Sequence, residues 1–173
     1  MIKKKCRICN YENLLEVIDY NKVNLSGNFY NKKQALLDKK YVLKLVICKK
    51  CRHLQINNDL NPSLLFNNYV WKTSDSLTNI NLIKKFLDEI FLRKKIAKNS
   101  KVLEIASNDG TLLKMMESKY KNFCLGVEPA KNLKKEYNKK INLINNFFSL
   151  KLSKKIKNKY NKFDFIIARN VIA

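Results

Sequence analysis

The sequence lacks an apolar run long enough to cross a membrane, because no stretch approaches the roughly 18 residues that a spanning helix needs. Its N-terminus, Met1 to Cys6, is positively charged, but no apolar segment follows it. A secretory signal peptide is therefore not expected. Both absences predict a cytoplasmic protein that does not engage a membrane.

Arginine is also scarce, although the chain is strongly basic. The 36 Lys and Arg residues against 14 Asp and Glu give a formal net charge of +22, yet only four of the basic residues are arginine. Readers of bases and phosphates usually exploit the planar fork of arginine. Lysine pairs recur along the whole length instead of forming one stripe, and Lys, Asn and Ile are abundant together, as in AT-rich coding sequences. The charge therefore does not by itself predict a nucleic-acid partner.

Four of the five cysteines form two pairs, Cys6-x-x-Cys9 and Cys48-x-x-Cys51. This spacing lets both thiolates of a pair bind one metal ion, and two pairs complete a tetrahedral zinc site. The alternatives are two disulfides or four free thiols, and disulfides are not expected without an export signal. Four thiolates leave no position for water, so the predicted zinc is structural. The only histidine, His53, is expected at the surface or in a supporting role beside the ligands.

At 173 residues the chain has room for one complete domain, or for a small domain followed by part of a larger one. We divide it into a zinc-binding module at 1–68, a connector with a long helix at 69–99, and an α/β segment at 100–173. The module contains two strand-like pieces, "LLEVIDY" and "YVLKLVIC".

The connector is predicted to contain a long helix that begins at a cap, Ser74 or Asp75, and ends near Lys98. Its apolar residues keep helical spacing: Leu77, Ile80, Ile83, Phe86, Leu87, Ile90 and Phe91. This helix is expected to pack against the α/β segment.

From Lys101 onwards, short apolar runs alternate with amphipathic ones, which predicts a parallel sheet with right-handed crossovers. The predicted strands are 101–106, 122–128, 141–147 and 163–172, and the predicted helices are 110–118, 132–138 and 149–158. Cys124 lies in a predicted strand, where core packing is expected.

Ligands of such sheets bind beyond the carboxyl ends of the strands. Polar residues at or near those ends are Glu104, Asn108 to Gly110, Glu128 and Asn170. The loop in "VLEIASNDGTLL" holds one glycine, and Asn108 tolerates the left-handed turn that glycine usually provides. Glu128 is placed to accept hydrogen bonds from both hydroxyls of a ribose. Glu104 is expected to orient the loop and to reach a cationic amino group through water.

These features together resemble the SAM-dependent sugar-nucleotide C-methyltransferases (SAM is S-adenosylmethionine), which combine an N-terminal zinc-binding domain, a central SAM domain and a C-terminal sugar-binding domain. The motifs that carry the resemblance follow the family's order and cover nearly all of the chain: "CRIC", "CKKCRHLQ", "LFNNYVWKTSDS", "VLEIASNDGTLL", "GVEPAKN", "NFFS" and "FDFIIARNVIA". The resemblance implies an α/β fold in which a small zinc-binding module precedes a partial Rossmann-like class I SAM methyltransferase domain.

The resemblance also implies a reaction and a set of contacts. A base removes the C3 proton of a nucleotide-linked 4-keto-deoxysugar, and the enolate attacks the methyl group of SAM. By motif position, the residues around the methionine end would be Glu104, Ala106, Asn108, Asp109 and Gly110. Glu128 would hold the ribose and Pro129 the adenine, which Asn146, Phe147 and Phe148 would also contact, and Asn170 would lie below the sulfonium. Tyr69 matches a substrate-side tyrosine, and Trp71 replaces a second one.

Family members typically continue beyond "RNVIA" with a histidine, the rest of the sheet and the C-terminal domain. The resemblance therefore implies that the catalytic base lies beyond Ala173, and that this chain is an N-terminal fragment that binds the cofactor without completing the reaction. The fourth predicted strand, 163–172, would then form an apolar sheet edge, which favours aggregation. Two alternatives remain: an RNA methyltransferase whose cysteine module grips RNA, and a truncated non-catalytic protein that binds zinc and SAM.

Overall fold

The computed structural model describes residues 4–27, 29–94 and 97–171. The chain forms two compact units, Met1–Leu65 and Phe66–Ala173. The long connector helix belongs to the second unit, while the predicted boundaries after residues 68 and 99 stay predictions. Among the described residues, no helix is both long and apolar enough to cross a membrane.

The first unit is built on a three-stranded antiparallel sheet in the order β1-β2-β3. Its strands are β1 (Leu14–Val23), β2 (Tyr41–Cys48) and β3 (Leu54–Ile56). A short helix, α1 (Lys32–Leu36), lies between β1 and β2, and α2 (Ser63–Phe66) follows β3. Both predicted strands are confirmed. The first knuckle comes just before β1 and the second begins at the last residue of β2, and Leu14 pairs with Cys48, so the sheet register brings the two knuckles together.

Helix α3 (Leu77–Lys94) begins after Ser76 and not after the predicted caps. The Ser76 hydroxyl accepts the main-chain N–H of Asn79 at 3.3 Å, while Ser74 lies in a 3-10 turn, Thr73–Asp75. Ile83 and Leu87 are buried as their spacing predicts. The first apolar residue, Leu77, is exposed because it lies in the first turn of the helix, outside the packed stripe.

The second unit contains a four-stranded parallel sheet in the order β6-β5-β4-β7. Its strands are β4 (Lys101–Ile105), β5 (Phe123–Val127), β6 (Asn142–Ile144) and β7 (Phe165–Ala168), and its helices after α3 are α4 (Thr111–Tyr120) and α5 (Leu150–Tyr160). The α/β alternation is confirmed, and it agrees with a partial Rossmann-like domain.

Three elements differ clearly from their predicted bounds or type, and one of them is β7, which covers Phe165–Ala168 within the predicted strand 163–172. The segment predicted as an α-helix at 132–138 is a 3-10 helix, Lys131–Glu136, because the main chain of Lys131 and the side chain of Asn132 bind an outside segment, 67–69. Strand β6 ends at Ile144 because the side chains that follow bind main-chain groups locally, for example Asn146 Oδ1 with the N–H of Phe147.

Side chains alternate between two apolar clusters on the faces of the sheet. One cluster joins α3 and α4 to the sheet through Ile83, Leu87, Val102, Leu112, Leu113, Met116, Cys124, Ile141 and Ile167. The other joins α5 to the opposite face through Leu103, Leu125, Val127, Leu152 and Ile156. Cys124 is fully buried, which confirms its core role. Strand β7 pairs with β4 alone among the described residues, and Ile166 on it is 63% exposed.

Candidate metal centre and cofactor site

The four predicted metal ligands come together in the first unit. The sulfur atoms of Cys6 and Cys51 lie 3.5 Å apart, those of Cys9 and Cys48 lie 3.6 Å apart, and all four lie within 4.8 Å of one another. A tetrahedron of sulfurs about 2.3 Å from zinc has edges of about 3.8 Å, and none of the four cysteines forms a disulfide. The geometry therefore fits one zinc ion and does not fit the disulfide alternative.

Both cysteine knuckles have the same main-chain geometry. The N–H of Cys6 donates to the carbonyl of Tyr11 at 2.8 Å, and the N–H of Cys48 donates to the carbonyl of His53 at 2.9 Å. The residue after the second cysteine is left-handed in each knuckle: Asn10 has φ of 58° and Arg52 has φ of 62°. His53 thus supports the site through its main chain, and its side chain is not among the grouped ligands.

The four thiols of the cluster influence one another's ionisation. The main-chain N–H of Cys9 faces the sulfur of Cys6 and lowers the pKa of that thiol to about 6. Cys51 shows the opposite shift: the N–H of His53 favours its thiolate, but burial and the other three thiols raise its pKa to about 12. Four negative charges cannot collect in this space unaided, so a divalent ion is needed to hold all four thiolates.

The second site lies in the second unit, where the carboxyl ends of the four parallel strands meet at one edge of the sheet. The segments that leave this edge are 106–110 after β4, 128–130 after β5, 145–148 after β6 and 169–171 after β7. Every predicted cofactor residue except Glu104 lies in one of them, and Glu104 lies one residue before the end of β4.

The loop after β4 adopts left-handed conformations at three alternate residues. Ala106 has φ of 53°, Asn108 has φ of 54° and Gly110 has φ of 73°. The loop therefore follows the path usually provided by glycines, although only its last position is glycine. Ala106 holds its conformation at a cost of about 1–2 kcal/mol, and such strain often marks functional sites.

Tyr137 holds this loop through its hydroxyl, and nothing in the sequence indicated this role. Its hydroxyl donates to the main-chain carbonyl of Asn108 at 2.8 Å and lies 2.6 Å from the Ser107 hydroxyl. Its ring fills the space beside two glycines: a Cβ on Gly110 would lie 2.9 Å from the ring, and a Cβ on Gly126 would lie 2.5 Å from Ser107 Oγ. Gly110 is therefore needed for its left-handed φ of 73° and for the ring, while Gly126 leaves room for the Ser107 hydroxyl and for the ring, which would lie 3.2 Å from a Cβ there.

Glu128, the predicted ribose ligand, ties the two central strand ends together. Its carboxylate accepts the main-chain N–H of Asn108 at 2.8 Å and that of Ala130 at 2.9 Å, one on each oxygen. Burial raises its pKa, while these two N–H groups act in the opposite direction. Each carboxylate oxygen can accept a second hydrogen bond, and the ribose contact of Glu128 stays a prediction.

The side chain of Asn108 binds the connector. Its Oδ1 accepts the main-chain N–H of Thr73 at 2.8 Å, and its Nδ2 donates to the carbonyl of Trp71 at 2.9 Å. The amide therefore contacts a protein segment, and a direct contact of this side chain with a cofactor stays a prediction.

Asp109 is likewise engaged. Its Oδ2 accepts the main-chain N–H of Ser74 at 2.8 Å, and its Oδ1 accepts the N–H and the hydroxyl of Thr111 at 3.1 and 2.6 Å. These bonds lower its pKa against the effect of its burial, which is the largest influence. The carboxylate fixes the start of α4, and its cofactor contact also stays a prediction.

Tyr69 and Trp71 lie in the part of the connector that precedes α3. Tyr69 is half-buried, and its main-chain N–H and carbonyl pair with the side chain of Asn132 at 2.9 and 2.8 Å. Trp71 is 65% exposed, although its carbonyl is held by Asn108. The segment is thus fixed by its main chain, which leaves the Trp71 ring free to contact another molecule.

Glu104 is buried, with 1% exposure, and pairs with a residue that the sequence reasoning missed. Arg169 Nε and Nη2 lie 3.3 and 3.0 Å from its Oε1. Its Oε2 is buried without a hydrogen-bond partner among the described residues. Burial raises the pKa of Glu104 to about 7 even though Arg169 lowers it. The expected contact of Glu104 with a cationic amino group through water stays a prediction.

Within the described residues, the remaining predicted ones lie on the same edge and make no hydrogen bond to the loop after β4. Pro129 is half-buried, Asn146 and Phe148 are exposed and Phe147 is half-buried. Asn145 Nδ2 donates to the carbonyl of Glu128 at 2.7 Å, so the segment that carries the adenine residues is anchored to the Glu128 turn. Asn170 follows β7 with φ of 55° and is exposed. The substrate and cofactor roles of these residues stay predictions.

The chain is similar to known proteins in two comparisons. Residues 6–66 match a methyltransferase family model described as "Putative zinc binding domain", and this range includes all four ligand cysteines. The curated C-methyltransferase NovU of Streptomyces niveus is 27% identical over 130 residues, which are 75% of this chain and 31% of NovU. The chain thus spans about a third of the length of the curated relative that it matches.

Proposed function

We propose that the chain is related to the C-methyltransferases that carry this zinc-binding domain, and that its second unit binds SAM at the carboxyl edge of the parallel sheet. The proposed substrate is a nucleotide-linked 4-keto-deoxysugar, methylated at C3. The name of NovU states a C-methyltransferase. The sugar class and the C3 position rest on the motif resemblance.

One observation carries the proposal. The left-handed loop at the end of β4 is joined to the carboxylate at the end of β5, because the N–H of Asn108 donates to Glu128 at 2.8 Å. Ligands of parallel sheets bind beyond these strand ends, with an acid of the second strand at the ribose. The spacing of 20 residues between Asn108 and Glu128 also agrees with that arrangement.

The described residues fit the cofactor. Glu128 would hold the ribose, Glu104 would receive the amino group at its free Oε2, and Pro129 with Phe147 would line the adenine. When bound, SAM supplies an electrophilic methyl group. The protein's part is to orient the cofactor and to exclude water from it, and the exposed Trp71 ring is the proposed substrate contact.

Titration of the zinc-loaded intact chain with S-adenosylhomocysteine tests the proposal, with Trp71 fluorescence or calorimetry as the readout. Glu128→Ala should weaken binding at least tenfold, about 1.4 kcal/mol, because it removes both the ribose acceptor and a loop anchor. Glu12→Ala is the matched control: this exposed glutamate pairs with Lys5 in the first unit.

Equal affinities of the two variants would remove Glu128 from the site. If the unaltered chain fails to bind S-adenosylhomocysteine, the proposed cofactor itself is wrong. Glu128→Gln keeps one acceptor oxygen for the N–H of the loop. If Glu128 only supports the loop, this variant should bind S-adenosylhomocysteine with near-normal affinity. If Glu128 contacts the ligand, the affinity should fall.

A further inference from the structure

The pair formed by Glu104 and Arg169 joins β4 to the segment that follows β7. Both guanidinium contacts, from Nε at 3.3 Å and Nη2 at 3.0 Å, go to Oε1 of the carboxylate. The other oxygen, Oε2, is buried and unpaired within the described part of the chain. A buried acceptor without a partner costs roughly 1–3 kcal/mol, and more when it is charged, so a fold that retains one needs a reason.

Arg169 also keeps unused hydrogen-bonding capacity. A guanidinium has five N–H donors, and Glu104 is its hydrogen-bond partner among the described residues. The Arg169 side chain is 31% exposed, which leaves its remaining donors accessible. At the carboxyl edge of the sheet the pair therefore combines a buried acceptor that has no partner with donors that are partly exposed.

This arrangement matches a group that carries both charges on one carbon atom. We propose that Glu104 and Arg169 together recognise an α-amino-acid group: Glu104 Oε2 accepts the ammonium, and the free donors of Arg169 bind the carboxylate. The inference rests on the proposed function, because the methionyl end of SAM is such a group. It assigns Arg169 as a specificity-determining residue that selects amino-acid-bearing nucleosides over the bare nucleoside.

The surrounding charges are consistent with this assignment. Burial is the main effect that disfavours the ionised form of Glu104, Asp109 and Glu128 add to it, and Arg169 is the cation that opposes them. A ligand ammonium at Oε2 would add a second positive charge to three neighbouring carboxylates. A ligand carboxylate placed there alone would be repelled, so the pair fixes the orientation of the amino-acid group as well as its presence.

Three ligands separate the two charges of the group. S-adenosylhomocysteine carries both, its decarboxylated analogue keeps the amine alone, and 5′-methylthioadenosine lacks the amino-acid group. With the zinc-loaded intact chain, Arg169→Met should lower the affinity for S-adenosylhomocysteine at least tenfold. The affinity for the decarboxylated analogue should fall less, and that for 5′-methylthioadenosine should stay within twofold. Glu104→Gln should lower the affinity for both amine-bearing ligands and leave the affinity for 5′-methylthioadenosine unchanged. Arg93→Met, an exposed arginine of α3, is the control and should change none of them.

The outcomes decide the inference separately from the proposed function. Equal weakening of all three ligands by Arg169→Met would show a merely structural role and overturn it. If the unaltered chain binds 5′-methylthioadenosine as tightly as S-adenosylhomocysteine, the nucleoside site stands and the inference falls. If no ligand binds, the proposed function fails as well. Should Arg169→Met not fold, the unaltered chain decides: equal affinity for S-adenosylhomocysteine and its decarboxylated analogue overturns the role of Arg169.

Discussion

The side chain of Asn108 binds the main chain of Thr73, because its Oδ1 accepts the Thr73 N–H at 2.8 Å. The main-chain N–H of the same residue donates to Glu128 at 2.8 Å. One residue therefore connects the acid at the end of β5 with the connector that carries Trp71. A change in the loop is expected to reach both neighbours.

Asn108→Ala should lower the free energy of unfolding of the second unit by about 2 kcal/mol, because it removes the bonds to Thr73 and Trp71 and leaves alanine in a left-handed conformation. Urea unfolding followed by the fluorescence of Trp71, the only tryptophan, measures the effect. The control is Asn99→Ala, an exposed left-handed residue with φ of 67°, which should cost about 1 kcal/mol or less. Equal losses would mean that the connector bonds contribute nothing.

Ala106→Gly should raise the free energy of unfolding by about 1 kcal/mol. Glycine relieves the strain at φ of 53°, and this gain exceeds the entropy that glycine adds to the unfolded chain. Ala130→Gly, at a buried residue with φ of −67°, should instead destabilise the protein. Urea unfolding midpoints at constant slope compare the two, and a loss of stability in Ala106→Gly would contradict the strain.

Gly126→Ala should destabilise the second unit by about 2 kcal/mol or more, because the new Cβ would lie 2.5 Å from Ser107 Oγ. The double variant Gly126→Ala with Ser107→Ala removes that contact. It should be more stable than the sum of the two single effects predicts. Simple additivity in thermal or urea unfolding would show that Ser107 is not the obstructing group.

Elemental analysis of the purified chain should find one zinc per molecule, since the four sulfurs lie within 4.8 Å of one another. Cys6→Ser should lose the metal, because three thiolates and a hydroxyl bind zinc far more weakly. Cys124→Ser removes the buried core cysteine and should retain it. Zinc retained by Cys6→Ser, or absent from the unaltered chain, would refute the four-cysteine site.

The free energy of unfolding of the second unit should fall as the pH rises from about 4.5 to about 7. Burial raises the pKa of Glu104 from 4.5 to about 7, so the folded state keeps a proton that the unfolded chain releases in this window. The contribution is about 3 kcal/mol. Glu104→Gln should remove it and flatten the profile, whereas Glu89→Gln on the exposed face of α3 should not. Parallel profiles for Glu104→Gln and the unaltered chain would contradict the raised pKa.

The elements that the sequence predicts well are those with a local signature. The cysteine spacing of each knuckle and the alternation of the parallel strands need no knowledge of distant residues. The pairs that the sequence did not reveal join distant positions: Arg169 meets Glu104 across 65 residues, and Asn132 meets Tyr69 across 63. No periodicity indicates such pairs, and in the sequence an arginine just after a strand looks like any other charged residue.

Side-chain use inside the loop was equally hidden. The motif placed Asn108 and Asp109 at the correct edge, but their side chains hold Thr73 and Ser74. Which neighbour an amide binds depends on where the connector passes, and that is decided by the packing of α3 on the sheet. Motif position therefore predicts where a residue lies better than it predicts what the residue contacts.

The repeated knuckle has a consequence for how the first unit folds. Each knuckle is complete within six neighbouring residues, so each half of the metal centre can form early and independently. Joining the halves requires closing a loop, since Cys9 and Cys48 are 39 residues apart. A cross-link over such a loop removes chain entropy equivalent to about 4 kcal/mol from the unfolded state. We expect a zinc ion held by all four cysteines to act as such a cross-link, one that can be removed and restored without breaking a covalent bond of the chain.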